Sequence, residues 1–305
     1  MPTKGWPIIR VRAALFIAVC SVVGVASDPL CQETTPFHYD QAQLTCSDFT
    51  SAEQLEASLP ERPNGDKIEL LLKDSRLQYI PRSVFQRVKP STLVLSNVTV
   101  RSYRAPDSDA SVFAELRDTL EKLVFHKNSS LPDTWSLLKD NRRLSELLLF
   151  RMASLRLGED FDELPTSVRD VAVVQSTISG VDARWLSSLS NLESLRIEKV
   201  NLGKFERSML PRPATKLKYL TIATRSDRFV PSPSSAHFRR RAIARLAAGN
   251  PLECDCRVVF LLVGYPDSWQ YPNCEKPATL AKTPLRQLTP SSLGCAATPS
   301  TRREE

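Results

Sequence analysis

Leu144-Ser145-Glu146-Leu147-Leu148-Leu149 stands near the middle of the 305-residue chain. In an extended backbone Leu147 and Leu149 point to one side and Leu148 to the other. The same frame recurs outward in both directions. Towards the N-terminus lie Leu120-x-x-Leu123-x-Phe125, then Leu93-x-Leu95 and Leu70-x-Leu72. Towards the C-terminus lie Val168-x-x-Val171-x-Val173, Leu192-x-x-Leu195-x-Ile197 and Leu217-x-x-Leu220-x-Ile222. The second member of each pair falls at Leu72, Leu95, Phe125, Leu149, Val173, Ile197 and Ile222, in steps of 23, 30, 24, 24, 24 and 25 residues. Each unit is thus a short strand with two inward aliphatics, followed by a return segment that adds further apolar residues: Phe85, Phe113, Phe161, Trp185 with Leu189, and Leu210. No such unit buries its apolar side alone. Stacking the units side by side builds one parallel sheet and one continuous core. The longer step between the second and third units places an insertion at Ala105 to Ala110, on a loop.

A solenoid leaves an uncovered apolar layer at each end, and the cysteines sit where covers are needed. Cys31 and Cys46 precede the first unit, Cys254, Cys256, Cys274 and Cys295 follow the last, and the chain between is free of cysteine. Cys254 and Cys256, one residue apart, face opposite sides and need different partners; Cys274 and Cys295 are the partners nearby. The segment before them begins differently. Lys4, Arg10 and Arg12 form a basic front, Ala13 to Val25 an apolar run, and Gly24, Ala26 and Ser27 offer small residues for cleavage. Residues 1–27 therefore have the layout of a secretory signal, their apolar run being shorter than the ~20 residues of a membrane span. Cys20 leaves with that segment, and six cysteines in an oxidising compartment imply disulfides. The formal charge drops from +7 to +4 with Lys4, Arg10 and Arg12 removed. That small excess points away from nucleic acid. The expected layout is a signal at 1–27, an N-terminal flank at 28–66, repeats at 67–249, a cysteine-rich cap at 250–295 and a polar tail at 296–305, with no membrane span.

Leu-x-x-Leu-x-Leu units ending in Asn250-Pro251-Leu252-x-Cys254-Asp255-Cys256, then Trp269, Cys274 and Cys295, resemble extracellular leucine-rich-repeat proteins with a cysteine-rich C-terminal flank. The resemblance implies a horseshoe of α/β type with a parallel concave sheet, about seven to eight units, and disulfide caps at both ends. It also implies the pairings Cys31–Cys46, Cys254–Cys274 and Cys256–Cys295. The family's inward Asn would fall at Ser75, Val98, Asn128, Met152, Ser176, Val200 and Arg225. Only Asn128 matches, so the turns must be held by something other than a ladder of amides. Asn250 would serve an eighth unit whose strand aliphatic is Ala247. Among such proteins the chain is similar to the arthropod secreted group named after the non-catalytic subunit of a luciferin monooxygenase, which implies a stabilising subunit of a secreted oxidase.

In this architecture the residue between each aliphatic pair lines the concave face: Leu71, Val94, Val124, Leu148, Ala172, Arg196 and Thr221. Five are apolar, and Phe150 and Val174 lie beside them, as at a site of contact. Glu69, Glu146 and Asp170 precede the strand centres, whereas Lys127, Arg151 and Lys199 follow them. A partner-binding surface is therefore expected around Leu71, Val94, Val124, Leu148, Phe150 and Val174, with Lys127 and Arg151 at its edge. Arg239, Arg240, Arg241 and Arg245 form the densest basic cluster, suited either to a glycosaminoglycan or to the solvent face of a helix. Asn97-Val98-Thr99 and Asn128-Ser129-Ser130 are glycosylation sequons. Asn97 is expected to face solvent and Asn128 to face inward and bond backbone. Catalytic signatures are missing. His38, His126 and His237 are far apart, and there is no Gly-x-Ser-x-Gly, His-Glu-x-x-His or phosphate-binding glycine loop. The expectation is a secreted, non-enzymatic protein-binding module with no cofactor or metal and an extracellular protein as ligand.

Overall fold

A computed structural model describes residues 28–34, 42–60, 67–106, 109–202, 204–205, 207–212, 214–224, 230–231, 243–246, 252–254 and 273–295. Its centre is a ten-stranded sheet. The strand Leu30–Thr34 runs antiparallel to Ala42–Ser47; from there the strands follow in sequence order, all parallel: Ile68–Tyr79, Thr92–Ser102, Lys122–His126, Glu146–Phe150, Asp170–Val174, Ser194–Val200, Tyr219–Thr224 and Ile243–Leu246. Nearest neighbours in sequence are nearest neighbours in space, as a leucine-rich-repeat horseshoe requires. The register carries the repeat frame intact: Leu72, Leu95, Phe125, Leu149, Val173, Ile197 and Ile222 form one row across the sheet.

The inward rows are close-packed. From Leu93 through Leu149 every paired aliphatic is fully buried, and the predicted return residues Phe85, Phe113, Phe161, Trp185, Leu189 and Leu210 are all at most 1% exposed. Trp135, in the short 3-10 turn Trp135–Leu138, completes this set for the third unit. Together these rings form an aromatic spine: Phe85–Phe113 at 6.5 Å, Phe113–Tyr103 at 5.3 Å, Tyr103–Phe125 at 6.4 Å, Phe125–Trp135 at 6.0 Å, Trp135–Phe161 at 4.8 Å and Phe161–Trp185 at 5.4 Å between centroids. Edge-to-face and offset pairs of this kind add about 0.5–1.5 kcal/mol each beyond the burial itself. The insertion after Tyr103 is a loop closed at its base by an Arg104–Ser111 bridge and an Ala105 N–H to Ala110 carbonyl bond of 3.0 Å.

The N-terminal flank is itself part of the sheet. Leu44 and Cys46 stand in register with Leu70 and Leu72, so Cys46 fills the place of a strand aliphatic at 0% exposure. Cys31, opposite Cys46, closes that edge through the Cys31–Cys46 disulfide. At the other end Cys254 pairs with Cys274. Cys295 is also disulfide-bonded, while Cys256, Trp269 and Asn250 lie outside the described residues, as do 1–27 and 296–305.

Two registers differ from the expected ones. Leu220 and Ile222 pair with Ala244 and Leu246, so the eighth strand's second aliphatic is Leu246 and not Ala247. Counting back from Asn250 misplaces the unit by one residue, and in a strand one residue inverts every side chain. The second difference is at Asn128, which is exposed; Ser129, 2% exposed, holds the inward position. Lys127 and Asn128 are both left-handed, with φ of 50° and 60°. The turn is therefore one residue longer there than after other strands.

That shift completes a ladder built on serine. The inward turn positions now run Phe49, Ser75, Val98, Ser129, Met152, Ser176 and Val200, apolar residues alternating with serines. Each serine hydroxyl accepts the backbone N–H of the apolar residue one unit earlier: Phe49 to Ser75 at 3.1 Å, Val98 to Ser129 at 3.1 Å and Met152 to Ser176 at 3.0 Å. Each donates in turn to a carbonyl, of Lys73 at 2.7 Å, Leu95 or His126 at 2.9 or 2.8 Å, and Val174 at 2.9 Å. Buried backbone donors need partners, and here each serine ties two successive units together.

Candidate functional site

With the core on one side, the intervening residues face the open side of the sheet in three rows. The middle row is Thr45, Leu71, Val94, Val124, Leu148, Ala172, Arg196 and Thr221 in unbroken register. Leu71, Val94, Val124 and Leu148 are half-buried, and Ala172 is buried at 7%. The row is apolar over five strands and polar beyond. On one side runs Gln43, Glu69, Thr92, Lys122, Glu146, Asp170, Ser194 and Tyr219; on the other, Ser47, Lys73, Ser96, His126, Phe150, Val174 and Glu198. Phe150 and Val174 widen the apolar strip, next to Leu148 and Ala172.

Two depressions occupy this face. One, of about 390 Å³, is floored by Val94, Val124, Leu148, Phe150, Ala172 and Val174, with His126, Arg196 and Glu198 at its margin. The other, of about 600 Å³, shares Leu148, Ala172, Arg196 and Glu198 with the first and extends over Lys122, Glu146, Asp170, Ser194, Tyr219 and Thr221. Tyr219 is 51% exposed, one of the two most exposed large apolar side chains among the described residues.

Phe150 is the organised centre of the apolar depression. The His126 ring stacks on it at 5.0 Å with 27° between planes, and the Arg151 guanidinium lies 5.1 Å from its centroid. Such a cation–π contact is worth about 0.5–1 kcal/mol at an exposed site. His126 is half-buried on this face. Its Nδ1 meets Ser96 Oγ at 3.0 Å, and its buried Nε2 has no hydrogen-bond partner among the described residues. Burial first, then the Lys127 and Arg151 charges, hold the imidazole below its ordinary pKa. Of the three histidines, the repeat frame places only His126 on a strand face, and the structure puts it beside Phe150.

The acidic flank is largely satisfied from within. Glu146 pairs with Lys122 at 3.0 Å, and Glu69 accepts from Gln43 at 2.7 Å. Asp170 accepts from Ser194, and burial, with Glu146 and Glu193 nearby, holds its carboxyl above the usual aspartate range. The cationic flank is built differently. Lys127 and Arg151 follow the last residue of their strands and Lys199 sits at the matching irregularity of Ser194–Val200, with φ of 50°, 55° and 54°, and all three are exposed.

Of the other expected site residues, Arg239, Arg240 and Arg241 lie outside the described residues. Arg245 does not sit on a helix: it belongs to the strand Ile243–Leu246 and pairs in register with Thr221. Asn97 is exposed at φ 57°, its amide donating to Asp74 at 2.7 Å. Asn128 is exposed, its side-chain oxygen accepting the Ala153 N–H, while Ser130 of the same sequon accepts from Val100 at 3.1 Å. Among the described residues no group of three or more His, Cys, Asp or Glu side chains is placed to hold a metal, and no helix is long and apolar enough to cross a membrane.

No protein-family model matches the chain. No curated protein matches it. Solved structures do, among them internalin C2 from Listeria monocytogenes str. 4b F2365, 19% identical over 58% of this chain and 70% of that one, with a TM-score of 0.33.

Proposed function

We propose that this chain is a secreted, non-enzymatic protein-binding module whose concave sheet face receives an extracellular protein. The observation that carries this reading is the apolar strip Leu71, Val94, Val124 and Leu148, widened by Phe150 and Val174, lying half-covered on an otherwise polar face. Cross-strand packing stabilises such a strip only in part, and apolar surface continuous over several strands marks contact sites. The disulfides Cys31–Cys46 and Cys254–Cys274 fit an oxidising compartment. Lys127 and Arg151 would act at the rim, on association rate and orientation more than on affinity.

The test is capture from extracellular fluid with the full chain and with Leu148→Asp and Phe150→Asp variants. Proteins retained by the wild type and lost by both variants, with melting temperatures unchanged, support the reading; equal retention overturns it. Glycosaminoglycan binding through Arg239, Arg240, Arg241 and Arg245 makes a different forecast: retention on heparin at physiological salt that those two variants leave intact.

A further inference from the structure

The left-handed positions at the irregularity where each repeat frame leaves the main register fall into two groups. Asp48, Asp74 and Asn97 hold it in the first three strands, and Asp and Asn tolerate this conformation because their short side chains bond locally. Lys127, Arg151, Gln175 and Lys199 hold it in the next four, where long side chains gain no such relief. Backbone preference accounts for the first group and not for the three cations; Lys89 and Lys282 also adopt this conformation, away from this face. The strands of Lys127, Arg151, Gln175 and Lys199 are four of the five that line the apolar depression, carrying Val124, Leu148, Ala172 and Arg196; the fifth, carrying Val94, has Asn97 at this position.

Charge accounting separates the two flanks of that depression. Glu146 is held by Lys122 at 3.0 Å and Glu198 by Arg196 at 4.0 Å, whereas Lys127, Arg151 and Lys199 take part in no ion pair among the described residues. Arg151 donates to the Gln175 side-chain oxygen at 2.9 Å and lies over the Phe150 ring, which brings its charge to the lip of the depression. Glu69 and Asp170, on the opposite flank, accept from Gln43 and Ser194, so the face is polarised and its unpaired positive charge lies along one rim, over strands where the floor is apolar.

We infer that the concave face docks an acidic protein segment, an apolar side chain of which seats over Val124, Leu148 and Phe150 while its Asp and Glu residues lie along the Lys127–Arg151–Lys199 rim. This rests on the proposed protein-binding role and adds the charge and orientation of the partner. A sulfated glycan would answer the cations and leave Leu148, Phe150 and Val174 uncovered; a basic segment would face unpaired like charge.

The test is selection of random 12-residue peptides displayed on phage against the full chain in 0.15 M salt. The expected consensus carries an aromatic or aliphatic residue with Asp or Glu near it. The Lys127→Glu/Arg151→Glu/Lys199→Glu variant, checked for an unchanged melting temperature, should weaken those peptides roughly tenfold, as the loss of three exposed pairs allows, and should select Lys or Arg instead. A neutral or basic consensus, or one that the rim reversal leaves unchanged, overturns the inference alone. Peptides whose binding survives both Leu148→Asp and Phe150→Asp do not use this face, and that result overturns the protein-binding reading as well. Failure to select any peptide, with a heparin fragment binding the wild type and not the rim variant, would assign the cations to a polyanion and also overturn the inference.

Discussion

Replacing Ser176 by Ala isolates what the serine ladder contributes. Ser176 is 4% exposed and its hydroxyl makes two bonds, accepting from the Met152 N–H at 3.0 Å and donating to the Val174 carbonyl at 2.9 Å. In the alanine variant the Val174 carbonyl keeps the Arg151 N–H at 3.0 Å, so its loss is small. The Met152 N–H keeps nothing among the described residues, and water has no access beneath a Met152 that is 5% exposed. An orphaned buried donor costs about 1–3 kcal/mol, and the expected destabilisation lies in that range. Ser75→Ala repeats the experiment four units earlier: it orphans the Phe49 N–H, while the Lys73 carbonyl retains the Asp48 N–H at 3.3 Å. The two costs should match and should add to within about 0.5 kcal/mol in the double variant, since the sites share no partner. Urea unfolding followed by circular dichroism at constant slope measures all three. Ser154, exposed, supplies the control, expected within about 0.5 kcal/mol of wild type. If Ser176→Ala behaves like Ser154→Ala, the turns are held by something other than the serines.

The aromatic spine forecasts a larger loss. Trp135 joins Phe125 and Phe161 in the core, so Trp135→Ala should cost about 3–5 kcal/mol in the same urea titration. His126 makes a pH-dependent contribution. Its folded pKa lies below the unfolded value of about 6.5 because of burial and the Lys127 and Arg151 charges. The unfolded state therefore takes up the proton first, and the stability conferred by neutral His126 is full above about pH 6.5 and is lost as pH falls through the lower folded value. His126→Gln should remove that acid-side slope, and NMR of the His126 ring should show its midpoint under about 6.5. Asp170 has the opposite sign. Burial holds its folded pKa above the unfolded one, so its charge costs stability at neutral pH and nothing once both states are protonated. Asp170→Asn should raise stability slightly at pH 7, by under about 1 kcal/mol because the half-buried carboxylate stays partly screened by solvent, and the gain should vanish below about pH 3.9.

The period of the aliphatic pairs made the sheet, its register and the middle row of the concave face legible before any coordinate, because strand alternation ties facing to position along the chain. Frame errors arose where the count rested on one polar residue. Asn250 drew the eighth unit onto Ala247, although Leu246 offers the larger side chain to bury. Asn128 drew the inward position onto itself, although it is Ser129 that is buried. Cys46 was legible as a half-cystine and not as a strand residue, since a bridge and a buried aliphatic place the same demand on that position.

The cations of the rim were legible by position; their left-handed backbone was not. A left-handed turn announces itself through Gly, Asn or Asp, and the chain signals it at Asp48, Asp74 and Asn97. At Lys127, Arg151 and Gln175 the same backbone conformation, shared by Lys199, is tied to the following unit: the Lys127 N–H reaches the Phe150 carbonyl at 3.1 Å, that of Arg151 the Val174 carbonyl at 3.0 Å and that of Gln175 the Glu198 carbonyl at 2.8 Å. Substituting glycine tests how much strain those bonds hold in place. Lys199→Gly should stabilise the fold by up to about 1 kcal/mol, the cost of a left-handed residue with a side chain less the extra freedom glycine gains when unfolded. Asn97→Gly should give less, because Asn already tolerates the conformation. If instead Lys199→Gly destabilises by more than Asn97→Gly, the lysine is held there by contacts of its own, and its presence on the rim needs no partner to explain it.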